Sequence, residues 1–209
     1  APVADVLVTR HRATLHDLPL GAVVGTSSLR RRLQLQALRP GLRFADIRGN
    51  IDTRVGKMAA GQYDAVVLAE AGLVRAGMSE VAYRPLPVEQ VLPAPGQAIL
   101  AVQGRAEDAS LREMLAPVSD PVAENCLAAE RQLLQALALD GQMPFAALRE
   151  PHGGGYRLRT WLADPRTGRS IRTDLHAGSW QEAVARSLRQ IDSAGGREII
   201  EGFCKGVAG

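Results

Sequence analysis

Ala22-Val23-Val24-Gly25-Thr26-Ser27-Ser28-Leu29-Arg30-Arg31-Arg32 is the stretch from which the fold can be read. Three apolar residues run into a Gly-Thr-Ser-Ser turn, and the turn runs straight into a helix bearing three arginines. A strand-to-helix turn leaves unpaired backbone N–H groups at the helix start, where the macrodipole favours an anion. Ser27 and Ser28 can cap that helix and add hydroxyl donors. The arginines behind them offer planar forks suited to carboxylates or phosphates. The stretch predicts an anion site on an α/β framework.

Outward from it the alternation continues. Ser28–Leu38 reads as a helix closed by Arg39-Pro40-Gly41. Leu42–Ile47 reads as a second strand, and Asn50 caps a helix with Ile51, Val55 and Met58 on one face. Ala65–Ala69 is uniformly apolar, as a buried parallel strand is, and a helical turn Ala71–Ala76 follows. This β-α-β-α-β-α order predicts a three-layer α/β domain over residues 1–93. Pro85, Pro87, Pro93 and Pro95 mark a crossover, residues 94–121, in which Ala98–Val102 reads as a further buried strand. Residues 122–139 read as a helix. Tyr156–Ala163 and Arg169–His176 alternate with period two around a turn, and Ser179 caps a last helix to about Ala194. A small C-terminal α+β domain over residues 122–209 is expected.

Composition narrows the function. All basic residues except Lys57 and Lys205 are arginines, and net charge is only +3. A basic run interleaved with aromatics is lacking, so no nucleic-acid partner is expected. Cys126 and Cys204 lie far apart, which predicts a reducing compartment and no disulfide framework. His11, His16, His152 and His176 show no metal spacing. No apolar run approaches the roughly 20 residues of a membrane span, and Ala1–Asp5 does not resemble a signal peptide. The expected location is the cytoplasm, with no membrane partner.

Loops after the carboxyl ends of parallel strands converge on one crevice. Thr26, Ser27, Ser28, Arg30 and Arg31 follow the first strand of this reading, Arg48, Asn50 and Arg54 the second, and Arg75 the third. Five arginines brought together unpaired would repel one another, and a polycarboxylate would relieve that repulsion. Each arginine singly is an ordinary surface charge; it is their recurrence at strand ends that points to a site.

The motifs GTSSLRRRLQLQALRP, IRGNIDTRVGKM, YDAVVLAEAGLVRAGM and LPAPGQAILAVQGR resemble, in succession, those of the hydroxymethylbilane synthase (porphobilinogen deaminase) family. The likeness runs on through Ala129-Glu130-Arg131 and the terminal domain. It implies a periplasmic-binding-protein-like α/β domain and a transferase of tetrapyrrole (porphyrin, heme) biosynthesis. Such an enzyme condenses four porphobilinogen molecules into hydroxymethylbilane on a dipyrromethane cofactor. It further implies that Ser28, Arg30, Arg31, Arg48, Arg54 and Arg75 bind pyrrole acetate and propionate groups. Gln97 falls in the family's Pro-x-x-Gly-Gln segment, where Ala98 stands in place of a usual glycine.

Three departures qualify the resemblance. Family members carry roughly 100 further residues ahead of the segment matching Ala4–Leu20, including a proton-handling aspartate. A Gly-Gly-Cys-Gln-x-Pro turn in the family carries the cofactor on its cysteine; here it reads Leu139-Asp140-Gly141-Gln142-Met143-Pro144, and Gly141 has no nucleophile. In the family the segment Gln97–Arg105 belongs to the first domain's sheet; with that domain incomplete the strand is expected to find another partner, which is the second-domain sheet, the last domain or another chain. The expectation is an N-terminally shortened, catalytically degenerate homologue that binds pyrrole or tetrapyrrole polycarboxylates, without covalent dipyrromethane and with no catalytic residue of its own. Two alternatives stand beside it: an active enzyme whose other half comes from another chain, and a structural or interaction module.

Overall fold

Val23–Gly25 forms β2, and its valines are flanked by two further apolar strands that complete a parallel core. In the computed structural model, which describes residues 1–207, β2 pairs in parallel with β3 (Arg43–Ala45) and with β4 (Ala65–Ala69). Strand β1 (Asp5–Val8) lies antiparallel between β4 and β5 (Tyr83–Pro85), giving the order β3-β2-β4-β1-β5. The chain is thus of mixed α/β class with a parallel-containing sheet. Period-two alternation divides its side chains between two faces. Leu7, Val24 and Val67 pack with Leu35 of α1 (Leu29–Leu38). Val6, Val8, Val66 and Leu68 pack with Met58 of α2 (Ile51–Ala59) and Leu73 of α3 (Glu70–Arg75). Each such side chain, fully buried, contributes about 1.5–3 kcal/mol.

The second sheet is an antiparallel meander of β6 (Phe145–His152), β7 (Gly155–Ala163) and β8 (Ser170–Ala177). One face carries Phe145, Ala147, Leu158 and Leu162 against α5 (Pro121–Ala136), α6 (Trp180–Ser193) and α7 (Gly196–Val207). The other face, with Leu148 and Trp161, packs on Leu92, Val88, Leu33 and Val3. Arg159 fastens that contact through Glu89 at 3.0 Å, and Arg172 Nη1 donates to the Glu89 carbonyl at 2.5 Å. A short α4 (Ala109–Leu115) and a 3-10 turn (Ala116–Val118) fill the crossover. Among the described residues no helix is long and apolar enough to cross a membrane.

Several expectations change. Ala98–Val102 is not a strand and joins no sheet, with Leu100 and Val102 exposed. Its apolar run has no sheet edge to join, and Ala98 at φ +71° turns the chain out of the extended region. Strands β1, β5 and β6 and helix α7 lie where the sequence reading sets no element. Asn50 occupies the N-cap position of α2 but makes no side-chain capping bond.

Candidate functional site

The helix start read first in the sequence is built as its residue types require, with its hydroxyls turned inward. Ser28 caps α1, its Oγ accepting from the Arg31 N–H at 3.4 Å. Thr26 is buried, and its Oγ1 accepts from the Ser28 N–H at 3.2 Å. Ser27 ties the turn to the next strand end: its Oγ donates to the Ile47 carbonyl at 3.0 Å and accepts the Ile47 N–H at 3.1 Å.

Behind the turn lies a charge cluster the sequence did not announce. Arg30 and Arg31 are not free; both grip Asp5, which is wholly buried on β1. Arg31 uses its Nε and Nη2 on Asp5 Oδ1 at 3.1 and 2.7 Å, and Arg30 Nη2 sits 2.8 Å from Oδ2. Gln97 Nε2 adds a bond to Asp5 Oδ1 at 2.9 Å and another to the Val3 carbonyl at 2.8 Å, while its Oε1 accepts from Arg30 at 3.3 Å. Arg30 Nη1 reaches the Leu92 carbonyl at 2.5 Å, and Gln34 brackets Leu92 through both its N–H and its carbonyl. Burial pushes the Asp5 carboxyl up, but the Arg31 and Arg30 guanidiniums outweigh it and hold the group below the usual carboxylate range. The same burial lowers the Arg30 pKa, against the pull of Asp5. The repulsion expected among unpaired arginines is therefore relieved, for two of the five, by an internal carboxylate.

The other arginines stay open. Arg48 is exposed, with only its backbone carbonyl engaged, by Lys57 Nζ at 3.0 Å. Arg54 is half-buried and donates from Nε to the Gly49 carbonyl at 2.7 Å. Gly49 is required there: it takes φ +119°, and a Cβ would lie 2.7 Å from the Thr53 methyl. Exposed Arg75 donates to the Ala98 carbonyl at 2.6 Å, next to Gln97. Asn50, also exposed, leaves its amide free of any capping bond. The structure thus gathers Arg30, Arg31 and Gln97 on Asp5, with Arg75 bonded to Ala98 next to Gln97. The Ser27–Ile47 bonds tie the Thr26–Ser28 turn to the segment that carries Arg48, Asn50 and Arg54. The Arg48 guanidinium makes no hydrogen bond or ion pair among the described residues, and single carbonyl contacts leave Arg54 and Arg75 with N–H groups and positive charge to spare, donors of the kind an anion with several carboxylates needs.

A second buried carboxylate faces the crossover. Glu130 on α5 accepts the Gly96 N–H at 2.6 Å and the Arg149 N–H at 3.0 Å. Burial pushes its pKa up to about 7, against the lowering effect of those two bonds. Sequence reading passed over both Asp5 and Glu130 as working groups, although a lone acid inside an apolar run, as in Val3–Val8, is a signal for one.

The position matched to the family's cofactor cysteine, Gly141, is exposed, and a Cβ there would meet nothing within 4 Å. Asp140 Oδ1 shapes the loop by accepting the Gln142 N–H at 2.9 Å. Shape therefore permits a cysteine, but the residue present has no sulfur and cannot form a thioether. Cys126 is partly buried, and burial pushes its thiol pKa up, the opposite of activation. A covalently held dipyrromethane does not fit Gly141.

Comparison with known proteins agrees with the motifs. Residues 1–113 match the family model described as "Porphobilinogen deaminase, dipyromethane cofactor binding domain". Curated relatives named porphobilinogen deaminase include that of Streptococcus sanguinis, 42% identical over 92% of this chain, and that of Geobacillus kaustophilus, 43% identical over 94%. The protein of Rubrobacter xylanophilus is 44% identical over 99% of the chain. The chain spans 64% of the length of the first two and 67% of the third. With a family model covering its first half and relatives aligned along nearly all of it, the chain belongs to the porphobilinogen deaminase family.

Proposed function

We propose that this chain binds pyrrole polycarboxylates, in the context of tetrapyrrole biosynthesis, without holding dipyrromethane covalently and without condensing porphobilinogen by itself. The observation that carries the reading is the division of labour among the arginines. Asp5 fixes Arg30 and Arg31 from behind, which orients α1 and its turn. Arg48, Arg54 and Arg75 remain outward and unneutralised around it with Asn50, while Ser27 ties the turn to Ile47. Thr26, Ser28 and Gln97 act in this reading by shaping the turn and bracing the arginines. A porphobilinogen unit carries two carboxylates, so a linear oligomer matches several such donors. Residues 1–93 then serve as a three-layer, periplasmic-binding-protein-like domain, residues 94–121 as its crossover and residues 122–209 as the C-terminal domain.

The alternative of an enzyme completed by another polypeptide is favoured by one observation. A groove of about 630 Å³ opens beside Arg75 and Gln97, and Leu100, Val102, Val118 and Val122 are exposed along it. Apolar side chains gathered on a crossover are what a covering chain would bury.

Calorimetric titration with porphobilinogen tests the first reading. Arg48→Ala combined with Arg54→Ala should weaken binding about a hundredfold or more, two charge-assisted contacts each being worth about 1.5–3 kcal/mol. Equal affinity of variant and parent refutes the site. Intact mass after incubation should be unchanged. A gain of two or more linked pyrroles on Cys126 or Cys204 overturns the claim that no covalent primer forms.

A further inference from the structure

One buried arginine lies outside the arginine site. Phe145 and Ala147 of β6 point under α5, and strict alternation carries Arg149 onto the same face. Arg149 is only 3% exposed. Its Nη1 reaches Cys126 Sγ at 3.6 Å, and its Nε and Nη2 have no hydrogen-bond partner among the described residues. The buried carboxylate beside it, Glu130, spends its oxygens on backbone N–H groups, one of them Arg149's own. A desolvated guanidinium with two of its nitrogens unbonded is a costly arrangement.

The vacant edge is the one this chain uses elsewhere to hold carboxylates. Arg31 grips Asp5 through Nε and Nη2, and Arg157 grips Asp174 through Nε and Nη2 at 2.9 and 2.6 Å. In Arg149 that same pair of parallel N–H donors is empty. A cavity of about 440 Å³ adjoins it, lined by Asn125, His152, Tyr156 and the Gly153-Gly154 turn. Both turn glycines have positive φ, which lets two residues close the β6–β7 hairpin against the cavity. The first turns of α5 form the opposite wall, where the helix dipole adds positive potential.

We propose that this cavity is a second anion site, taking a compact oxyanion, a carboxylate or phosphate group, on the Nε–Nη2 edge of Arg149. Asn125 and His152 supply further donors at its rim. The Tyr156 ring stacks over the guanidinium face, its centroid 3.7 Å from the central carbon, whereas the Nε–Nη2 edge lies in the plane of the group. The site lies on the C-terminal sheet, separate from the Thr26–Ser28 turn, and does not rest on the reading of that turn.

Inorganic phosphate and sodium acetate, titrated separately into the full chain, are the probes. The readout is the His152 imidazole resonance, assigned by its loss in His152→Gln. A saturable shift is expected with at least one probe, and the probe that gives it identifies the class of group. Arg149→Met should abolish the shift while the remaining spectrum stays folded, and the Arg48→Ala, Arg54→Ala variant should keep it. Asn125→Ala, at the exposed rim, should weaken binding about fivefold, the value of one hydrogen bond. That variant decides the matter if Arg149→Met does not fold. No saturable shift with either probe, a shift of equal size in Arg149→Met, or an unaltered affinity in Asn125→Ala overturns the proposal.

Discussion

Replacing Glu130 by glutamine should change how the stability of this protein depends on pH, and the sign can be worked from its surroundings. In the unfolded chain the carboxyl titrates near 4.5; in the fold, burial carries it to about 7. Between those values the folded protein holds a proton that the unfolded chain has lost. Stability from this group is therefore complete below 4.5 and is lost as pH rises through 7. At about 1.4 kcal/mol per unit, the loss is about 3 kcal/mol. Glutamine does not titrate and escapes it. It carries its own penalty, because two backbone donors, those of Gly96 and Arg149, face the side chain and an amide has only one oxygen to accept them. That penalty is about 1–3 kcal/mol at every pH. Glu130→Gln should be the less stable protein at pH 4.5 and should draw level with the parent, or pass it, by pH 8. Urea unfolding followed by fluorescence, with Trp161 buried at the sheet contact, measures both proteins across that range. Other titrating groups are common to the two and cancel in the difference. A difference that stays flat within about 0.5 kcal/mol from pH 4.5 to 8 would show that Glu130 is not buried as a charge, and would refute the reasoning.

Two further outcomes follow from the same geometry. Asp5→Asn strips the shared carboxylate from two buried guanidiniums and should cost about 3–5 kcal/mol; denaturant midpoints measure it, and a loss below about 1 kcal/mol would mean that Arg30 and Arg31 find other partners. Ala98→Gly removes the left-handed strain of an alanine at φ +71°, worth about 1–2 kcal/mol, against about 0.5–1 kcal/mol of lost chain entropy. A net gain of about 0.5 kcal/mol in thermal unfolding is expected, and any destabilisation contradicts it.

What the sequence disclosed was what is decided locally. The strand-turn-helix at Val23–Leu38, the hairpin of β7 and β8 and the capped α6 are each written in neighbouring residues: an apolar run, a turn, a capping serine. The motifs set Arg48, Arg54 and Arg75 on the segments that follow β3 and β4. The pairing of Arg30 and Arg31 was hidden, since Asp5 comes from a segment with no period of its own and meets them only through the sheet. Ala98–Val102 misled for the converse reason. A strand needs an edge as well as a sequence, and the described residues offer it none. Strand β6 was masked by Arg149 and Glu150, which interrupt its apolar alternation.

The antiparallel placing of β1 has a consequence for the order in which the polypeptide can acquire its shape. Asp5 pairs with Ala69 on one side, and Val6 with Pro85 on the other. A ribosome making this chain therefore releases Val6-Leu7-Val8 long before either flank exists. Until Ala69 emerges, β1 is an apolar segment without neighbours, until Pro85 emerges it lacks its second flank, and until Gln97 emerges the Asp5 cluster lacks one of its donors. Contacts so distant along the chain are slow to form, because loop-closure entropy is spent before they return anything. The interval leaves an exposed strand of the kind that associates with other nascent chains. Completion of the sheet is thus a late event in synthesis, and the arginine turn at the start of α1 takes its final orientation only when that event has occurred.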